Sequence, residues 1–223
     1  MAVQQLEHKT YKYTWLTTDT KPTLATHGTV PGSTGIDDAG VMWITRDGTN
    51  WEVKHQGLKE VRTTKVIDGG LGAYAVNDVV SNEDCCSTTA TCWTFEDVVL
   101  AVSRSGYIVG AIIDSATESV TPALTLYLFN AVPTSNLIDN APNTAPDCND
   151  ILKYIGKIDF PALESLGTTD STSIATLSTY GNLPLPFKCA TADADIYGIL
   201  VTRTAFTQSA GDDISIILLI EAY

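Results

Sequence analysis

The side chains that most often carry chemistry are scattered along this 223-residue chain. Its three histidines, His8, His27 and His55, all precede residue 56. A Ser-His-Asp or Cys-His site therefore needs one of them to fold back onto everything that follows. The carboxylate pairs Glu96/Asp97, Asp193/Asp195 and Asp212/Asp213 sit in turn-like sequence. Glycosidase chemistry requires one carboxyl buried enough to stay protonated, and these neighbours read instead as solvated turns and strand ends. No G-x-S-x-G, phosphate-binding glycine loop, dinucleotide fingerprint or H-E-x-x-H occurs. The expectation is a protein that is not an enzyme and takes no cofactor.

Metal ligation has two candidate sets. Cys85, Cys92, Cys148 and Cys189 could be drawn around zinc, but no Cys-x-x-Cys pair is present and the histidines lie far upstream. The five cysteines, with Cys86 beside Cys85, form an odd set that fits a reducing compartment or plain apolar packing. The loop acids Asp139, Asp147 and Asp150, interleaved with Asn136, Asn140, Asn143 and Asn149, offer the hard oxygens that calcium prefers. Their spacing is not that of an EF-hand, and Asn, Asp and Pro equally satisfy the backbone of an ordinary turn. No metal is expected.

Charge narrows the partners. The chain carries a net −13. Residues 1–66 hold eight Lys or Arg against seven acids, a net of +1, which leaves −14 on the remainder. An acidic body repels nucleic acid. The longest apolar run, Ile214 to Ile220, is strand-sized and too short for a membrane helix. The start, MAVQQLEHKT, lacks the basic tip and apolar core of a secretion signal, so export is not expected.

The elements that position these residues read as strands. "VMWIT" alternates Val41, Trp43 and Thr45 on one face, "DGTN" supplies an Asp-Gly turn, and "WEVKH" returns with Trp51, Val53 and His55. The two indoles are therefore expected on one face, serving either as the small core of an N-terminal region or as a docking element. Thr20 to Gly40, rich in Thr, Gly and Pro, reads as an extended segment that needs a surface to lie on. "EVRTTKVI" reads as a further strand, broken by "DGGLG", and the boundary is placed there: an N-terminal arm and hairpin over 1–68 and a body over 69–223. In the body, Ala73–Val80, Trp93–Val102, Gly106–Asp114, Ala123–Ala131, Ile151–Phe160, Pro184–Ala190, Ile196–Thr204 and Asp213–Tyr223 form eight strand candidates. "CNDILKYIGKI" can open with one helical turn capped by Asn149 or Asp150. The fold expected is all-β, a jelly-roll-like antiparallel sandwich with an extended N-terminal arm and β-hairpin, burying "TLYLF" and "SIILLI". The loop Val132 to Asp150 is long enough to be functional or bound to a partner.

The stretch "TKPT", then "VPGST", then "MWITRDGTNWEVK" resembles a pattern found in structural proteins of tailed bacteriophages. The body, with "YAVNDVVSN", "SGYIVGAIID", "LYLFNAVPTSNLIDNAPN" and "DIYGILVTRTAFT", resembles β-sandwich virion proteins of the head decoration or cement type. The likeness touches most of Thr20 to Tyr223, rests on packing and turn residues, and leaves "DCCSTTATC" unplaced. It implies binding to the outer surface of a capsid through the major capsid protein, assembly in the host cytoplasm, and self-association, with a homotrimer favoured over a dimer. Interface candidates are Trp15, Trp43, Trp51, Lys54 and Arg62. The alternative is a receptor- or glycan-binding head of a phage fibre, in which Tyr or Trp would stack on sugar rings.

Overall fold

The computed structural model describes residues 3–5, 11–15, 33–37, 42–45, 51–55, 58–67, 72–82, 91–167, 169–177, 182–209 and 211–222. Two compact units divide the chain, one over Met1–Gly57 and one over Leu58–Ala222. The described residues of the first unit are strands β1 (Val3–Gln5), β2 (Tyr11–Trp15), β3 (Thr34–Asp37), β4 (Met42–Thr45) and β5 (Trp51–His55). They form a single sheet in that order. The β2/β3 pair is parallel and the other three are antiparallel. Of Thr20–Gly40, expected as an extended segment, the described residues 33–37 include β3, and the rest of that stretch lies outside the described residues. Thr34–Asp37 gave no alternating pattern because a four-residue strand is too short to display one. The turn between β4 and β5 lies outside the described residues.

The second unit is an antiparallel β-sandwich. Its strands are β6 (Leu58–Val66), β7 (Ala73–Tyr74), β8 (Val79–Val80), β9 (Trp93–Phe95), β10 (Ser105–Ser115), β11 (Leu124–Phe129), β12 (Tyr154–Phe160), β13 (Glu164–Ser165), β14 (Ser171–Ala175), β15 (Leu185–Lys188), β16 (Ile196–Thr202), β17 (Phe206–Thr207) and β18 (Asp213–Ala222). The front sheet runs β13-β14-β10-β18-β6, with β15 also on β10. The back sheet runs β12-β11-β16-β8, with β9 also on β16. A short β17/β7 ladder stands apart. Among the described residues no helix is long and apolar enough to cross a membrane.

Alternation builds the core. Ile214, Ile216, Leu218 and Ile220 of β18 point inward with Ile108, Ala111 and Ile113 of β10, against Leu124, Leu126 and Leu128 of β11 and Ile158 of β12. Between Ile108 and Gly110 the β10/β18 register shifts, and this bulge resets which residues of β10 face inward. Part of the far side of the back sheet is covered as well. There Val79, Phe129, Ile199 and Val201 pack with Ala145 and Leu137 of the long loop, so that loop is a lid on the sheet.

The compact units divide after Gly57, eleven residues before the boundary expected after Asp68. β6 pairs residue by residue with β18, from Leu58↔Glu221 to Val66↔Asp213, and its Val61 is part of the sandwich core. The Gly-rich break marks where that strand ends, but glycine carries no information about which sheet the strand joins.

Candidate interaction surface

The N-terminal sheet places the indoles as the hairpin pattern requires, with one refinement. Trp43 pairs with Val53 and Trp51 with Thr45, so the two share a face as diagonal neighbours rather than direct partners. Both are half-buried, while Thr45 is fully buried and its amide donates to the Ser33 carbonyl at 3.0 Å. Trp15 ends β2 opposite Asp37, and Lys54 lies on β5. Their side chains fall outside the described parts of the structure. Arg62 belongs to the other unit: it is exposed on β6 and donates through Nη2 to Ser215 Oγ at 2.8 Å. The sheet brings four of the five candidates into one element, and Arg62 is not among them.

The outer side of the front sheet carries apolar side chains. With the core residues of β10 and β18 turned inward, Val109, Ile112, Ile217 and Leu219 point away from the back sheet, next to Ile174 of β14, which is 54 % exposed. The bulge leaves a shallow cavity of about 300 Å³ there, lined chiefly by Val109, Gly110, Ile112, Ile174, Leu177 and Leu219. Acids border this face. Asp114 follows Ile112 on the same side, and burial together with the charge of nearby Asp170 raises its carboxyl above the usual range. This surface is not legible in the sequence because "STSIATL" reads as a Ser/Thr turn cluster, although Gly110 inside a strand pattern is a recognised sign of a bulge.

The loop acids spend their oxygens on the chain itself. Asp139 Oδ1 accepts from Tyr74 Oη at 2.9 Å and from the Ser81 amide at 2.7 Å. Asp150 is fully buried and accepts from the amides and hydroxyls of Thr134 and Ser135 as well as from Lys153. Burial opposes its ionisation, but those hydrogen bonds prevail and hold the carboxyl well below the usual range. Asp147 caps the 3₁₀ turn Cys148–Asp150, in place of the expected Asn149 or Asp150. Among the described residues no group of three or more His, Cys, Asp or Glu could hold a metal.

The other chemical candidates also serve structure. Asp195 accepts from the Asp97 amide at 2.7 Å, Asp193 from Tyr197 Oη at 2.7 Å, and Asp212 from Thr117 Oγ1 at 2.8 Å. Cys92 and Cys189 are buried and Cys148 is exposed, whereas Cys85 and Cys86 lie outside the described residues. Burial, reinforced by Asp193 and Asp195, pushes the Cys189 thiol up to about 12, and burial raises that of Cys92. Such thiols are protonated at neutral pH and act as small apolar side chains. His55 is on β5, and His8 and His27 lie outside the described residues.

Comparison with protein-family models, with curated proteins and with solved structures gave no match.

Proposed function

We propose that this protein is a structural virion component that binds the outer surface of a bacteriophage capsid and stabilises it. The observation that carries the reading is the separate N-terminal sheet with Trp43 and Trp51 on one face, attached in sequence to a sandwich that has its own complete core. An aromatic element on one unit and a self-sufficient second unit suit a two-point linker between capsid subunits, where a second contact gains from the high effective concentration set by the first. The phage-like sequence stretches point the same way.

Co-sedimentation with capsids stripped of the protein tests this, comparing the full chain with residues 58–223. Truncation after Asp68 would remove β6 from the front sheet and confound attachment with unfolding. The full chain is expected to bind and to raise the temperature at which capsids open, and the truncation to do neither. Absence of binding by the full chain overturns the reading.

A glycan-binding head is supported by a different feature. Tyr127 and Tyr154 lie 6.3 Å apart on the outer side of the back sheet, with Arg203 Nη2 donating to Tyr127 Oη at 2.6 Å and Lys157 paired with Asp159 at 2.8 Å. Half-exposed rings ringed by polar groups suit sugar stacking. Glycan-array binding that is lost in Tyr154→Ala would favour this reading.

A further inference from the structure

Arg203 is a cation fixed in place without a countercharge. Its Nε donates to Thr125 Oγ1 at 2.8 Å, Nη1 to Asn77 Oδ1 at 2.5 Å and Nη2 to Tyr127 Oη at 2.6 Å. All three acceptors are neutral, and among the described residues no carboxylate lies within ion-pair distance of it. Asp159 reaches it only through Thr125, accepting from Thr125 Oγ1 at 2.7 Å, and is already paired with Lys157 at 2.8 Å. Asp78, next to Asn77 in sequence, is buried and accepts from the Ala75 amide at 2.7 Å. A guanidinium carries five N–H donors, so one remains uncommitted on each terminal nitrogen. Such charged donors bind carboxylates more strongly than neutral oxygens.

The cation stands at one end of a row of rings. On the outer side of the back sheet Tyr127 is two residues along β11 from Thr125, which holds Arg203, and two from Phe129, which pairs with Tyr154. Tyr127 lies 5.6 Å from Arg203 Cζ and 6.3 Å from the Tyr154 ring, so aromatic surface leads up to the charge. We propose that Arg203 makes this a site for acidic saccharides, with a sugar ring on Tyr154 and a uronate or sialate carboxylate on the spare N–H donors of Arg203. The inference rests on the glycan-binding reading and narrows it to one class of ligand. Lys157 and Asp159 cancel each other, which leaves the single positive charge of Arg203. The net −13 of the chain repels an acid at long range, but it is screened beyond about 10 Å at 0.1 M salt, so the charge at contact decides. A neutral sugar would cover the guanidinium without neutralising it, and that uncompensated desolvation is the source of selectivity.

A glycan array carrying sialylated and uronate-containing oligosaccharides, each beside its methyl ester, tests it with the full chain. The free acids are expected to bind about tenfold more tightly than their esters, the worth of one hydrogen bond to a charged group. Arg203→Met should bring each acid down to the level of its ester, whereas Tyr154→Ala should abolish binding of both. Should Arg203→Met lose the wild-type circular dichroism, Asn77→Gly takes its place. Glycine keeps the left-handed backbone at φ 72° and removes only the acceptor that holds Nη1, so the acid preference should fall severalfold. Acids and esters bound alike, or an acid preference untouched in the folded variant, overturns the role of Arg203 and leaves glycan binding standing. Binding of no member of the array overturns the glycan reading and this inference together.

Discussion

The carboxylate of Asp150 accepts hydrogen bonds from both the amide and the hydroxyl of Ser135, at 2.8 and 2.7 Å, across fifteen residues of loop. Thr134 adds its amide at 2.8 Å and its hydroxyl at 3.0 Å, and Lys153 adds an ion pair. One buried side chain therefore ties the start of the loop to its end. Between these points the loop lays Leu137 and Ala145 over Phe129, Ile199 and Val201, covering that part of the outer side of the back sheet.

Asp150→Ala is expected to destabilise the sandwich by about 3 kcal/mol, because it strands several buried donors and unpairs Lys153. Asp150→Asn should cost less, since its amide keeps one acceptor oxygen. Urea unfolding followed by tryptophan fluorescence checks both. A midpoint unchanged in Asp150→Ala would show that the loop is not held through this carboxylate.

Acid should act through the same group. The folded Asp150 carboxyl lies below its unfolded value of about 4, so its contribution is fully present above that pH and disappears as pH falls toward the folded value. Asp159, where burial is outweighed by hydrogen bonds from Lys157, Thr125 and Asn182, shifts in the same direction. The urea midpoint of the wild type is expected to fall below about pH 4, and Asp150→Asn to show a shallower fall. Parallel pH profiles for the two proteins would contradict the assignment.

Much of the sandwich was legible because its long strands alternate cleanly. Ser105–Ser115, Leu124–Phe129, Tyr154–Phe160, Ile196–Thr202 and Asp213–Ala222 all begin and end within three residues of the expected segments. The two-residue strands Glu164–Ser165 and Phe206–Thr207 and the Ser/Thr-rich Ser171–Ala175 were not legible. Ser171–Ala175 carries no apolar alternation that turn chemistry does not also explain, and Ala73–Val80 is two strands parted by a turn in which Asn77 has φ 72°. Trp43 and Trp51 could be placed on one face from their spacing, but their diagonal offset depends on register. The front cavity depends on a bulge and on three strands meeting, neither of which a single stretch of sequence records.

The edge of the front sheet gives a third expectation. Among the described residues β6 pairs only with β18, and its inward residues reach across to β9 and the turn after it: Thr63 to the Thr94 carbonyl and Lys59 to the Asp97 carbonyl. Lys65 is buried, donates to Asn82 Oδ1 at 2.8 Å and Thr91 Oγ1 at 2.9 Å, and lies 5.4 Å from the Trp93 ring centroid. An inward charge on an edge strand discourages pairing with another chain. Lys65→Met is expected to cost about 1–2 kcal/mol and to produce large aggregates on concentration, visible by light scattering, while Lys65→Arg should remain dispersed. Equal scattering from Lys65→Met and wild type would remove the guarding role.

Two glycines of β10 should respond differently to one added methyl. At Gly106 a Cβ would meet the Glu221 carbonyl oxygen at 2.5 Å and the Phe187 ring at 3.0 Å. The oxygen is backbone held in the β10/β18 ladder, so no rotamer change relieves the contact. At Gly110 the nearest atom is Leu219 Cδ1 at 3.0 Å, the end of a flexible side chain on the outer side of the front sheet. Gly106→Ala is expected to cost about 1–3 kcal/mol and Gly110→Ala less than about 1 kcal/mol. Thermal unfolding of the pair decides the matter: equal losses would mean that the β10/β18 ladder yields at Gly106 as readily as a leucine methyl does at Gly110.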